Sequence, residues 1–413
     1  MNIIQKWTST SLILRIACGL VIGAILGLVV PQATWIGVLG DLFVGALKGI
    51  APILVFVLVA AAIANAKGGN AGKFKLVIIL YLASTLVAAV VAVLLNFATK
   101  IKVPVEAAAA AEGYEPPSSM GEIIGNLLSS IVANPVDSLA NANYIGILFW
   151  AVVIGMALKA TSKATKSFFD DLGDALSSVV RGVINCAPFG ILGLVFTAVS
   201  TSGLEIFKTY GQLVLVLVCT MLIVAFGTNA VITGLVLKRN PYPLILHCIK
   251  KSAVTAFFTR SSAANIPVNM ELCQDLGLDE DVYSVSIPLG ATINMDGAAV
   301  TITTLALVAA FSTGANISMP MAILLSIVAT LSACGTSGVA GGSLLLVPLG
   351  CSILGIPQDI AMQMVGIGFI ISVIQDSMET ALNSSADAIF TSTAEFYHWQ
   401  KEGRELPKQL WAK

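Results

Sequence analysis

Four acidic side chains sit where an apolar chain has little structural use for them. Asp296 is the only residue with a formal charge between Val282 and Gln358. Asp376, Glu379 and Asp387 fall within the last apolar segment, together with Thr380 and Asn383. On a helix these five positions spread over an arc of about 100°, forming one polar stripe. A carboxylate at bilayer depth costs about 2.5–3.5 kcal/mol, so each one points to work on a substrate, an ion or a proton. Between Arg260 and Lys401 the chain has no Lys or Arg, so Arg260 can offset only one of the four. The others need a proton, a bound cation or an ammonium group. Their neighbours are Asn, Ser and Thr oxygens and backbone carbonyls, hard ligands that suit an alkali cation better than a transition metal.

The elements that carry these groups are unusual. From about residue 245 onward, polar clusters break the apolar segments: FFTRSSAANIPVN at 257–269, LGATINMDGAAV at 289–300, SACGTSGVAGGS at 332–343 and IQDSMETALNSSADAIF at 374–390. Non-helical backbone at membrane depth is tolerated only around a cavity or inside protein. The order reads hairpin, broken helix, hairpin, polar helix, or two corresponding halves, which is the pattern of a secondary-transporter site. Close glycine packing between helices is the plainer reading. It accounts for Gly338, Gly341 and Gly342 but not for Arg260, Asp296 and Asp376 beside them.

The first half reads as spans over 11–30, 36–64, 76–98, 143–159, 172–200 and 208–237, each near the roughly 20 residues a crossing needs. The N-terminal apolar run is longer than a signal-peptide core and reads as a retained first span. Residues 99–142 read as an external loop entering a partly embedded helix near 121–140, or else as a loop without function. Lys6, Lys67, Lys73, Lys75, Lys159, Lys163, Lys166, Lys238, Arg239, Lys250 and Lys251 gather on one side of this scheme. The positive-inside rule makes that side, and the N-terminus, cytoplasmic.

Composition agrees. Of 413 residues, 57% are hydrophobic and 11% charged, against about 25% charged in soluble domains. This implies an all-α polytopic membrane protein. A net charge of −1 argues against a nucleic-acid partner. Seven scattered cysteines and two histidines, His247 and His398, form no metal-ligand spacing or disulfide framework. No nucleophile–base pair lies at the breaks, so an enzyme is not expected.

NMDG at 294–297, TRSSAANIP at 259–267, GTSGVAGG at 335–342, and the series Asp376, Thr380, Asn383, Asp387 occur in order. Together they resemble the dicarboxylate/amino acid:cation symporter family, and the resemblance covers essentially the whole chain. It implies eight transmembrane helices, two re-entrant helical hairpins and inverted repeats. Residues 1–239 would be mainly scaffold and trimerisation spans, with 76–98 contributing to the transport core. Residues 240–395 would form that core, 396–413 a cytoplasmic tail, and the assembly a homotrimer in a bacterial cytoplasmic (inner) membrane with both termini cytoplasmic.

Positions carry over one by one. By resemblance, Asp376 takes the substrate's amino group, with Glu379, Thr380, Asn383 and Ala298 around it. The hairpin positions Ser261, Ser262, Thr336, Gly338 and Val339 hold the substrate from either side. Asp387 with the carbonyls of Gly290, Asn294 and Asn383 matches one sodium site. The carbonyls of Thr292, Ala333, Cys334 and Thr336 match a second. Tyr81, Ser84 and Thr85 with Asn294 and Asp296 match a third, although taken alone the first three read as ordinary packing polars. Sodium is the implied coupling ion, and no cofactor is implied.

The chain departs from the acidic-substrate members of the family at two positions. Where they carry an arginine, three residues after the amino-binding aspartate, this chain has Glu379; where they carry a threonine after NMDG, it has Ala298. A second carboxylate repels an acidic substrate and leaves nothing to pair with its side chain. Glu379 has an alternative role, pairing with Arg260. The expected activity is therefore sodium-coupled import of a small neutral amino acid such as serine or threonine, and the full hairpin tips and NYIGILFWA at 143–151 resemble the family's bacterial members with that specificity. The alternatives are a sodium- or proton-coupled dicarboxylate or acidic amino acid transporter of the same family, and a cation channel.

Overall fold

A computed structural model describes residues 10–65, 71–105, 129, 132–334, 336, 341–407 and 410–411. Its regular structure is helical, with no strand among the described residues. The helices are α1 (Leu12–Val29), α2 (Val38–Asn65), α3 (Ala71–Thr99), α4 (Tyr144–Leu158), α5 (Lys163–Asn185), α6 (Ala187–Ser202) and α7 (Glu205–Leu237). They continue with α8 (242–259), α9 (Ile266–Asp275), α10 (Glu280–Ile293), α11 (Asp296–Thr313), α12 (Met319–Ala333), α13 (Ser343–Ile353) and α14 (Gln358–Lys401). The segments Thr34–Asn65, Phe74–Thr99, Glu205–Leu237, Glu280–Thr313 and Gln358–Lys401 are long and apolar enough to cross a membrane. Several helices start on a side-chain cap: Ser11 accepts from the Leu14 amide, Asn143 from Gly146 and Ser162 from Thr165.

Two groups of helices emerge from the packing. In the first, α1 lies along α6, while α2 packs on α4, α5 and α6. Contact between α1 and α6 is close enough that a Cβ at Gly23 would stand 2.4 Å from the carbonyl oxygen of Leu192. In the second group, α3 packs on α7, α10, α11, α12 and α14.

One expected span differs. Residues 172–200 do not form a single helix but two, α5 and α6, bent by 53° at Cys186. Pro188 opens α6, where its missing N–H costs nothing and its ring resists continuation of the preceding helix. The polar residues of α5, among them Lys163, Lys166, Asp170, Asp171 and Asp174, suit it to a boundary rather than an apolar interior. Of the helix expected near 121–140, only Pro135–Ala140 and a few flanking positions lie within the described residues.

The second group contains two turn-backs. After α8 the chain reverses at 260–265, and α9 returns beside it: Asn265 Nδ2 donates to Ser252 Oγ at 2.9 Å. After α12 it reverses again, and α13 packs on α12 and α11. Between these hairpins, α10 and α11 are separated at Asn294 and Met295. The last helix, α14, spans about 66 Å at 1.5 Å per residue. It runs past residue 395 without a break. Beyond it the chain folds back, with Trp411 Nε1 donating to Asn240 O at 2.9 Å and the Arg404 guanidinium stacked 3.5 Å from the Trp399 ring.

Candidate functional site

The break between α10 and α11 supplies the centre of the site. Asp296 is the first residue of α11 and is fully buried. Its Oδ1 accepts from Ser84 Oγ at 2.9 Å and Thr85 Oγ1 at 3.1 Å, both on α3. Its Oδ2 accepts from Asn229 Nδ2 on α7 at 3.0 Å. Asn294, in the gap, joins Asp296's neighbours to α14. Its Oδ1 accepts from Ser84 Oγ at 3.2 Å, and its Nδ2 donates to Asp387 Oδ1 at 2.9 Å and to the Asn383 carbonyl at 3.3 Å. Asn383 Oδ1 in turn accepts from the Gly297 amide at 2.7 Å, satisfying one of the otherwise unpaired donors at the start of α11.

Asp387 is 1% exposed, and its Oδ2 is buried with no hydrogen-bond donor among the described residues. The carboxylate reaches α10 only because residue 290 is glycine; a Cβ there would lie 2.6 Å from Asp387 Oδ1. Asn229 Oδ1, beside Asp296, is likewise buried without a donor. No Lys or Arg forms an ion pair with Asp296, Glu379 or Asp387 among the described residues. Anionic oxygens of this kind, together with unfilled amide oxygens, fit a small hard cation.

A second cluster lies one to three turns earlier on α14. Asp376 Oδ2 receives Arg260 Nε at 2.6 Å, and its Oδ1 receives the Gly341 amide at 3.1 Å. Arg260 ends α8 in a left-handed conformation, φ +53°, which is strained for a non-glycine residue and typical of functional turns. The alternative pairing of Glu379 with Arg260 is therefore replaced. Glu379 Oε2 instead accepts from Thr301 Oγ1 at 2.7 Å, Gln375 Nε2 at 2.6 Å and Ser343 Oγ at 2.8 Å, tying α11 and the start of α13 to α14.

The remaining expected residues distribute unevenly. Ser262 is buried in the α8–α9 turn, while Ser261 Oγ accepts from the Ala264 amide at 3.2 Å. Ala298 is fully buried on α11. Thr380 turns its hydroxyl back to the Asp376 carbonyl at 2.8 Å. Tyr81 separates from Ser84 and Thr85: its hydroxyl lies 2.8 Å from Thr391 Oγ1 and 3.2 Å from the carbonyl oxygens of Ser286 and Asp387. Cys334 Sγ approaches the Ile293 carbonyl at 3.5 Å, placing the end of α12 beside the end of α10. Ala333 O accepts from the Thr336 amide at 2.9 Å, whereas Thr292 is exposed and donates to Leu289 O. Gly338 and Val339 lie outside the described residues.

Asn229 was not singled out by its sequence pattern, although a lone amide within the apolar stretch 213–237 is itself a signal. A π-turn at Val224–Thr228 precedes it, a bulge of the kind that re-aims side chains at functional sites. Asn265, Asn269 and Ser384 were missed as well. Asn269 Nδ2 donates to the Ser384 carbonyl at 2.8 Å and Asn265 Nδ2 to Ser384 Oγ at 2.7 Å, fastening α9 to α14.

Known proteins match this chain along nearly its whole length. The serine/threonine transporter SstT of Bifidobacterium adolescentis is 54% identical over 408 residues, covering 98% of this chain and 94% of the relative. The protein of the same name from Streptococcus thermophilus is 53% identical over 398 residues, 96% of this chain and 99% of its own, and that from Streptococcus agalactiae is 52% identical over 392 residues, 95% and 97%. The profile of the Sodium:dicarboxylate symporter family matches residues 12–395. A chain that matches this profile from its first described helix to beyond its polar stripe belongs to the Sodium:dicarboxylate symporter family.

Proposed function

We propose that the protein imports serine and threonine across a bacterial cytoplasmic (inner) membrane, driven by sodium symport through alternating access. The single observation that carries this reading is the pair of buried carboxylates, Asp296 and Asp387, joined through Asn294 and without a basic partner among the described residues. Buried anions without compensation are strongly disfavoured, so a cation belongs with them. The relatives' names supply serine and threonine as the substrate class. Glu379, standing where an arginine would receive an acidic side chain, argues against a dicarboxylate.

In this reading, one sodium rests on Asp387 with the carbonyls of Gly290, Asn294 and Asn383. A second rests on Asp296, with Ser84, Thr85, Asn229 and the backbone of Tyr81. The carbonyls of Thr292, Ala333, Cys334 and Thr336 form a third site at the meeting of α10 and α12. Asp376 takes the substrate's ammonium group, while the hairpin turns, with Ser261 and Ser262 on one side and Gly338 and Val339 on the other, hold its carboxylate. Asn383, Thr380, Ala298 and Glu379 shape the remaining wall. Sodium and amino acid then raise each other's affinity reciprocally, which is what lets one gradient drive the other.

The matching architecture is eight spans, two re-entrant hairpins and inverted repeats. Residues 240–395 and helix α3 move against a trimeric scaffold built from the first half, with both termini cytoplasmic. Supporting this are the two turn-backs, the broken α10–α11 pair and the lysine-rich side of the membrane scheme.

Uptake of labelled serine, threonine and succinate into proteoliposomes, with sodium or choline outside, tests the proposal. Serine and threonine are expected to accumulate only with sodium, and Asp376→Asn to abolish accumulation. Saturable succinate uptake without serine uptake would sink the substrate assignment, and sodium current without solute would favour a channel.

A further inference from the structure

Asp376 is gripped from both hairpins at once. Arg260, at the turn after α8, donates to Oδ2 at 2.6 Å, and the Gly341 amide, just before α13, donates to Oδ1 at 3.1 Å. Both side chains of the ion pair are nearly enclosed, Arg260 being 6% exposed and Asp376 2%. Arg260 is also the only Lys or Arg between Lys251 and Lys401, so no other basic side chain of that stretch can take its place. Glu379, the nearest acid on the same helix, has its Oε2 filled by Thr301, Gln375 and Ser343 and leaves Asp376 as the partner for the guanidinium.

An ammonium group that approaches Asp376 therefore meets a carboxylate whose strongest acceptor position is taken. To take that position it displaces Arg260. We propose that Arg260 is the internal counter-ion of Asp376, trading places with the substrate's ammonium group, so that the carrier can cross the membrane with this carboxylate neutralised whether or not an amino acid is bound. The inference rests on the symport reading above and extends it to the return step. The physical ground is the heavy penalty for a buried charge stripped of its partner. Reorientation with Asp376 unpaired would carry that penalty through the low-dielectric interior, whereas a zwitterion adds one charge of each sign and leaves the local sum unchanged. The guanidinium already rests on Asp376 with no substrate present, 2.6 Å from Oδ2.

The test separates two modes of transport in proteoliposomes. Net sodium-driven uptake of labelled serine into vesicles without internal amino acid requires the return of an empty carrier. Exchange of external labelled serine for internal serine, with equal sodium on both sides, does not. Arg260→Gln is expected to lower the ratio of net uptake to exchange by at least about tenfold, since the unpaired carboxylate is exposed only on the empty return. Arg260→Lys, which restores a positive charge, is expected to bring the ratio back most of the way. Equal loss in both assays, no loss in either, or no recovery with lysine each overturns the counter-ion role. Sodium-driven serine uptake by the unmodified protein is measured first, and its absence overturns the symport reading and this inference together.

Discussion

Helices α1, α2 and α6 and helices α11 and α14 fill a bilayer-sized space by opposite means. The first group closes up through small residues: Gly23 lets α1 lie against the backbone of α6, and Ile16, Phe43, Leu47 and Ile191 fill the seam. Its outer face stays apolar and exposed, at Leu14, Val21, Ile22 and Ile25. The second group buries Asp296, Asp376, Glu379, Asn383 and Asp387, and it does so by being surrounded. In the most apolar stretches of Glu280–Thr313 and Gln358–Lys401, 89% and 83% of residues are buried, against 44% in Thr34–Asn65. A charge at mid-depth is tolerated when protein encloses it on every side and supplies hydrogen bonds. Where a helix faces outward, only apolar side chains and close backbone contact remain available.

Three substitutions probe that contrast, beginning with the largest effect. Asp387→Asn removes a buried charge whose Oδ2 has no donor among the described residues. Sodium-driven serine uptake is expected to fall about 100-fold, in keeping with the loss of a charge-bearing ligand worth about 3 kcal/mol. If uptake and its sodium dependence are unchanged, the enclosed charges of the second group are structural, and the contrast with the first group loses its functional meaning.

Gly23→Val tests the other side. Its Cβ would meet the Leu192 carbonyl at 2.4 Å, forcing α1 away from α6. A loss of about 2 kcal/mol of stability is expected, seen as earlier thermal unfolding in detergent, with serine uptake per folded molecule retained. A large change in sodium affinity with normal stability would show that the two groups are not energetically separate.

Asn229→Ala has the smallest expected effect. It deletes one of three donors to Asp296 and an amide oxygen left for a cation. A hydrogen bond to a charged group at the weaker end of its range is worth about 1.5 kcal/mol, so the sodium concentration for half-maximal uptake is expected to rise about tenfold. An unchanged sodium dependence would remove Asn229 from the site and leave Ser84 and Thr85 as the partners of Asp296.

Much of the site was legible because charge and amide groups are rare in apolar sequence. Asp296, Asp376, Glu379, Asn383 and Asp387 stand out against their surroundings, and the helical period alone puts the last four on one face. Ser84 and Thr85 were legible only beside the NMDG motif, because hydroxyls in an isolated helix satisfy themselves on their own backbone, as Thr380 does here. Asn229 escaped notice because nothing local tells which carboxylate a lone amide will meet. The bend at Cys186 was hidden for another reason: mean hydropathy reads straight through Pro188, whereas the backbone does not.

What the amino-acid order determined by itself was the excess of buried acid over base, together with the breaks that carry it. Both follow from residue type and spacing, and neither needs the fold. Which acid Arg260 neutralises was a tertiary decision. Asp376 and Glu379 lie three residues apart on one helix and are equivalent to any count of charges. Only the approach of α8 on one side, and of Thr301 and Ser343 on the other, assigns the guanidinium to Asp376 and the hydroxyls to Glu379, because directional hydrogen bonds select by geometry where charge alone does not.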